Sequence, residues 1–175
     1  MKKLNDFLDI LVRYLILVLV AFPNLYLFYL IFSPLTIYSV YFILKLFTDV
    51  SLTANLIQVN GYFPIEIIKA CVAGSAYYLL LILNLSTPKI KFSKRIKMIL
   101  ISFLAFLVLN ISIILLMFFL FLKQSPFFDF IHLFFWYVVS VVFVVGIWFL
   151  EVKLFKIKKI PVYSDFKFLL KKARK

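Results

Sequence analysis

Residues 98–122 run for 25 positions without a charged side chain. About 20 apolar residues are what an α-helix needs to cross the hydrocarbon core of a bilayer. Residues 131–150 form a second such run, with His132 its only ionisable group. Residues 65–85 form a third, more polar at its start, where Glu66 and Lys69 lie. A longer apolar stretch, residues 14–47, contains Pro23-Asn24 and Ser33-Pro34. Because proline disfavours helix at the residue before it, that stretch divides into 14–32 and 35–47. The second piece is short for a crossing unless it extends to about Val50 or re-enters the same face. Composition agrees: 66% of the 175 residues are hydrophobic, only 15% are charged, and mean hydropathy is +1.12. That leaves too little polar surface to cover a soluble globule, and it excludes disorder. A single cysteine excludes an internal disulfide framework. The expected fold is an all-α integral membrane protein, a bundle of about five transmembrane helices over residues 1–152. A basic tail, 153–175, follows.

The charge is unevenly placed. Lys89, Lys91, Lys94, Arg95 and Lys97 form one basic block with no acid among them, and residues 153–175 form another in which Asp165 is the only acid. A soluble protein at +13 would suggest nucleic acid. Beside apolar runs the positive-inside bias is the better explanation, and such blocks suit the anionic cytoplasmic leaflet. No nucleic-acid partner is expected, and the chain is placed in the cell membrane. With both blocks cytoplasmic, 98–122 runs outward, 131–150 returns, and 65–85 runs inward. Five crossings then put the N-terminus outside, whereas Lys2, Lys3 and Arg13 favour the inside against Asp6 and Asp9; the sequence leaves both readings standing. The first apolar run continues without a small-residue cleavage site, so no cleavable signal peptide is expected. Residues 50–63 alternate polar and apolar, with Asn60-Gly61 near the end, predicting a small outer hairpin. Residues 163–175 mix aromatic and aliphatic side chains with lysines, predicting an amphipathic helix on the inner leaflet.

Polar groups inside a bilayer are costly, so each is a functional candidate. Cys71 and His132 are the only Cys and His in the chain. Cys71 lies seven residues past Pro64, roughly 10 Å below the outer surface at helical rise, and His132 lies about one turn into a helix that also starts outside. Asn110 and Ser112 fall near mid-depth of the helix between them. Asp129 precedes His132 by three residues, a spacing that orients an imidazole. A Cys-His pair at one depth suggests nucleophilic catalysis, the imidazole drawing off the thiol proton. The competing reading makes Cys71 a small packing residue and His132 an interfacial one. One Cys, one His and one Asp fall short of a four-coordinate zinc site, so no metal or cofactor is expected. The small-residue run Ala70-Cys71-Val72-Ala73-Gly74-Ser75-Ala76 allows close approach of another helix at Ala70 and Gly74.

The stretch Gly61-Tyr62-Phe63-Pro64-Ile65-Glu66-Ile67-Ile68-Lys69-Ala70-Cys71-Val72-Ala73-Gly74 resembles the nucleophile region of the archaeosortase/exosortase family. In that family a Cys closely followed by a small residue and Gly sits at the outer end of a transmembrane helix. A basic inner loop and a helix bearing Asn-x-x-Arg come next. The corresponding helix reads Asn110-Ile111-Ser112-Ile113, so the Asn is present and the Arg position is Ile113. A later His is matched by His132 in Phe130-Ile131-His132-Leu133-Phe134-Phe135-Trp136. The likeness covers roughly residues 50–150 and is greatest to the short archaeal branch sometimes called pacearchaeosortases. It implies a membrane cysteine peptidase or transpeptidase, a sortase analogue with its active site outside and its C-terminus cytoplasmic. The partners so implied are surface proteins ending in a motif, a helix and a basic cluster, with a membrane lipid as acceptor. Cys71 would be the nucleophile, His132 the base and acid, Asn110 a supporting donor and Asp129 an orienter. Lys123, at the outer end of the Asn110 helix, or Asn110 itself would stand in for the family's Arg. The alternatives are an inactive member, or a non-enzymatic assembly factor or transporter accessory subunit.

Overall fold

The computed structural model describes residues 2–22, 24–59, 63–124, 126–134, 138, 140–157, 161–163, 165–166 and 170; the side chains of 2–6, 63 and 129 also lie outside that description. The chain is mostly helical. Its elements are α1 (Lys2–Ala21), α2 (Tyr26–Lys45), β1 (Val50–Thr53), β2 (Leu56–Val59), β3 (Phe63–Glu66), α3 (Lys69–Val72), α4 (Gly74–Leu85), α5 (Phe92–Leu122), α6 (Phe128–Phe134) and α7 (Ser140–Leu154). Among the described residues two helices, α2 and α5, are long and apolar enough to cross a membrane.

Helix α5 matches the expected 98–122 run and adds a turn and a half of the basic block at its start. The division of 14–47 does not fall where Ser33-Pro34 suggested. Helix α2 continues through Pro34, because a stripe of buried residues (Phe28, Phe32, Thr36, Val40, Leu44) recurs every fourth position on both sides of it. Packing along that stripe outweighs the proline penalty, while the ring itself is exposed. The break comes earlier, where Asn24 and Leu25 take left-handed backbone (φ 49° and 59°). Pro23 lies outside the described residues.

Residues 65–85 are not one helix either. Ile65 and Glu66 belong to β3, which extends the expected hairpin to a three-stranded antiparallel sheet of order β1-β2-β3. The turn is at Ala54 and Asn55, with Ser51 opposite Gln58 and Ile57 opposite Ile65. Asn60 and Gly61 lie outside the described residues. Ile57, Val59 and Ile67 are fully buried and join the core, so the sheet is held by its apolar face. The 131–150 run is described as two elements, α6 and α7, with 135–137 and 139 outside the description. Most of the expected tail helix, 163–175, is also outside it.

The middle of the bundle is aromatic. Phe32 stacks on Tyr77 at 3.6 Å, Phe103 meets Tyr77 edge-on at 5.6 Å, and Phe106 does so at 4.9 Å, joining α2, α4 and α5. At one end the joint is polar. The last carbonyls of α4 have no partner within the helix, and all four find one. Ile82 accepts from Ser86, and Leu83 accepts from the Thr87 hydroxyl. Asn84 accepts from Arg95 Nη1 at 3.2 Å, and Leu85 from both Arg95 Nη1 (2.6 Å) and Arg13 Nη1 (2.7 Å). Two guanidinium groups at a helix C-terminus also oppose its negative dipole end. Asp165 closes the cluster with an ion pair to Arg13 at 3.0 Å. On its other side, Asn84 donates to the fully buried Glu151 of α7 at 3.0 Å.

These contacts fix the sense of each helix. Arg13 sits level with Leu85, and the Leu17 carbonyl, about one turn further along α1, accepts from the Tyr78 hydroxyl, about two turns back along α4. Tyr29 then lies on Gly74, and the end of α2 reaches β1. Helices α1 and α2 therefore follow one another from the polar end to the sheet end.

Replacing Arg13 with Met strands the buried Asp165 carboxylate and is expected to cost about 3–5 kcal/mol. Adding Asp165→Leu should recover most of that loss. Thermal unfolding in detergent micelles, wild type against single and double variants, reads the difference.

Candidate functional site

At the sheet end, a cavity of about 670 Å³ opens between β3, α3, the start of α4, α5 and α6. Cys71, Asn110 and His132 all line it, from three different elements. Glu66 and Lys69 are exposed polar residues of its lining, and Ile113, Met117 and Phe121 are apolar ones. The sequence leading to Cys71 explains how the thiol comes to face open space. β3 hands over to a single helical turn, α3, after Ile68 in extended conformation. Ala73 then takes left-handed backbone (φ 55°), ending α3 and starting α4 on a new course. A non-glycine residue there costs roughly 1–2 kcal/mol, which the packing of both flanking pieces offsets.

The break interrupts the helical hydrogen-bond ladder beside Cys71. Asn110 repairs it from across the bundle: its Nδ2 donates to the Cys71 carbonyl at 2.8 Å. Asn110 is only 7% exposed, and this bond ties its side chain to the Cys71 backbone. The sequence assigned Asn110 as a donor in the site; the structure shows it positioning Cys71. Cys71 itself is a half-buried free thiol. His132 lies on α6, exposed at the cavity wall, its ring stacked on Phe128 at 5.8 Å. The side chain of Asp129, the expected orienter, lies outside the described residues. Lys123 is exposed at the C-terminal end of α5 and is not part of the cavity wall.

Sequence reasoning missed Tyr29. It reaches the cavity from α2, and its ring lies where a side chain on Gly74 would be: a Cβ there would stand 2.8 Å from Tyr29 Cζ. The Lys69 ammonium lies over the same ring, 5.7 Å from its centroid. The signal was present in the small-residue run around Cys71, which announced a close neighbour without naming it. Arg13 and Arg95 are far from the cavity, at the polar end of α4. Among the described residues no three His, Cys, Asp or Glu side chains come together as metal ligands. No protein-family model matches the chain, and neither a curated protein nor a solved structure shows significant similarity to it.

Asn110→Leu removes the donor to the part-buried Cys71 carbonyl and is expected to lower stability by about 1–3 kcal/mol. It should also speed maleimide labelling of Cys71, because the thiol-bearing turn loses its tether; thermal unfolding and labelling rates check the two effects.

Proposed function

We propose that the chain is a multi-pass membrane protein whose outer-end cavity carries out cysteine acyl transfer on surface proteins, in the manner of archaeosortases. The observation that supports this reading best is the gathering of Cys71, Asn110 and His132 from three elements into one cavity. Ile113, at the position of the family's Arg, lines the same cavity.

In this reading the membrane is crossed four times. From Arg13 to Ala21 helix α1 rises about 12 Å, and α2 adds about 30 Å; together they match a bilayer with its headgroups, about 40–45 Å. They form one broken crossing, so the basic N-terminus and both basic blocks share the cytoplasmic side and the charge conflict of a five-span chain disappears. The sheet and the cavity then face outward, where the scissile bond of a membrane-anchored substrate emerges.

The chemistry is a two-step acyl transfer. His132 takes the Cys71 thiol proton as the sulfur attacks the substrate carbonyl. The C–S bond forms and the C–N bond breaks, and His132 returns the proton to the departing amine. A water molecule, or a lipid hydroxyl or amine, then gives a proton to His132 as it attacks the thioester; the C–S bond breaks, and the freed thiolate recovers that proton from His132. Asn110 holds the nucleophile's turn throughout.

Cys71→Ser is expected to abolish processing of a co-expressed surface protein that ends in a motif, a helix and a basic cluster. His132→Ala should lower it by about 10²–10⁴-fold. Equal processing by wild type and Cys71→Ser would assign Cys71 to packing and favour the non-enzymatic reading. Sidedness has its own check, on a Cys71→Ser background. Single cysteines at Gln58 and Lys91 should label from opposite sides, and one at Lys3 should label with Lys91; labelling of Lys3 with Gln58 would restore an odd number of crossings.

A further inference from the structure

The acyl-transfer reading leaves one charge without a partner. When sulfur adds to a carbonyl, the π electrons move to oxygen, and that oxyanion needs a donor. The residue at the family's Arg position is Ile113, which has none. Asn110 gives one of its two Nδ2 hydrogens to the Cys71 carbonyl, which ties its amide to the backbone of that turn. Lys123 is not part of the cavity wall.

We infer that the Tyr29 hydroxyl is the oxyanion donor, with the Lys69 ammonium supplying the positive charge behind it. This rests on the acyl-transfer reading and names a residue for it. Tyr29 lines the cavity together with Cys71 and His132. Its phenol is pinned at one place: the hydroxyl oxygen lies 3.1 Å, and ring carbons Cζ and Cε1 lie 2.8 and 2.9 Å, from where a Cβ on Gly74 would be. Gly74 is three residues past Cys71, immediately after the left-handed Ala73, so the bare glycine lets the phenol lie against the nucleophile's segment. Lys69, two residues before Cys71, places its ammonium 5.7 Å from the ring centroid. A cation over a phenol ring is held there by the ring's quadrupole, and its field makes the O–H a stronger donor to a developing negative charge. A neutral donor backed by an ammonium thus does the work of one guanidinium. The electron count is ordinary: the C–S bond forms, the carbonyl pair moves to oxygen and accepts from Tyr29, then re-forms C=O as the leaving group departs.

The test uses full-length protein in detergent and two small probes. p-Nitrophenyl acetate acylates Cys71 through an oxyanion, whereas iodoacetamide alkylates it at a saturated carbon with no oxyanion. Tyr29→Phe keeps the ring on Gly74 and removes only the hydroxyl. It is expected to slow Cys71-dependent acylation by about 10²-fold and to leave the alkylation rate unchanged. Gly74→Ala, which displaces the ring, should show the same selective loss. An unchanged acylation rate in Tyr29→Phe overturns the inference, and so does an equal fall in both rates, which would place the effect on the thiol. If wild type releases p-nitrophenol no faster than Cys71→Ser, cysteine catalysis itself fails; if wild type is faster and Tyr29→Phe equals it, only the Tyr29 assignment fails.

Discussion

The C-terminal carbonyls of α4 are the joint on which the rest of this structure hangs. A helix that ends among other apolar helices has no water to satisfy its last four oxygens. Here Ser86 and Thr87 take two of them, and Arg95 and Arg13 take the others from α5 and α1. Both guanidinium groups are buried and reach the same Leu85 carbonyl, so they repel each other. Carboxylates must therefore stand close by, and Asp165 does so at 3.0 Å from Arg13. One cluster thus sets the level of α1, α4, α5 and the segment around Asp165. With α1 anchored at Leu85, α2 is carried to the sheet end, where Tyr29 meets Gly74.

The cavity at the other end follows from a second broken helix. A continuous helix from Ile65 to Leu85 would have hidden the Cys71 carbonyl in its own ladder and offered the thiol one turn among many. The sheet, the single turn of α3 and the left-handed Ala73 instead present Cys71 on a short elbow. An elbow of four residues has little stability of its own, and Asn110 and the Tyr29–Gly74 contact hold it. The same contacts that stabilise the strained segment therefore also shape the cavity.

Much of the site was legible in the sequence because rarity did the selecting. One Cys, one His and one mid-helix Asn in an apolar chain have few bland places to be, and the structure puts all three on one cavity wall. The long run of α5 and the β structure that precedes α3 were legible for a similar reason: length and alternation are local signals. What the sequence concealed was decided by tertiary contact. Pro34 reads as a breaker until the buried stripe on either side of it is seen, and Ile65-Glu66 reads as helix until β2 pairs with it. Tyr29 is one of ten tyrosines, and only its seat on Gly74 distinguishes it. Arg13 reads as a topology signal, while its structural role is to cap a helix 72 residues away in sequence.

The central claim is that Cys71 and His132 face the same substrate atom across one outer-end cavity. A protein with Cys71 and His132→Cys as its only thiols, treated with a short bis-alkylating reagent such as dibromobimane, tests it directly. Efficient intramolecular bridging is expected, with little bridging in the matched pair of Cys71 and Lys123→Cys. No bridging between positions 71 and 132, or preferential bridging between 71 and 123, would contradict the shared site.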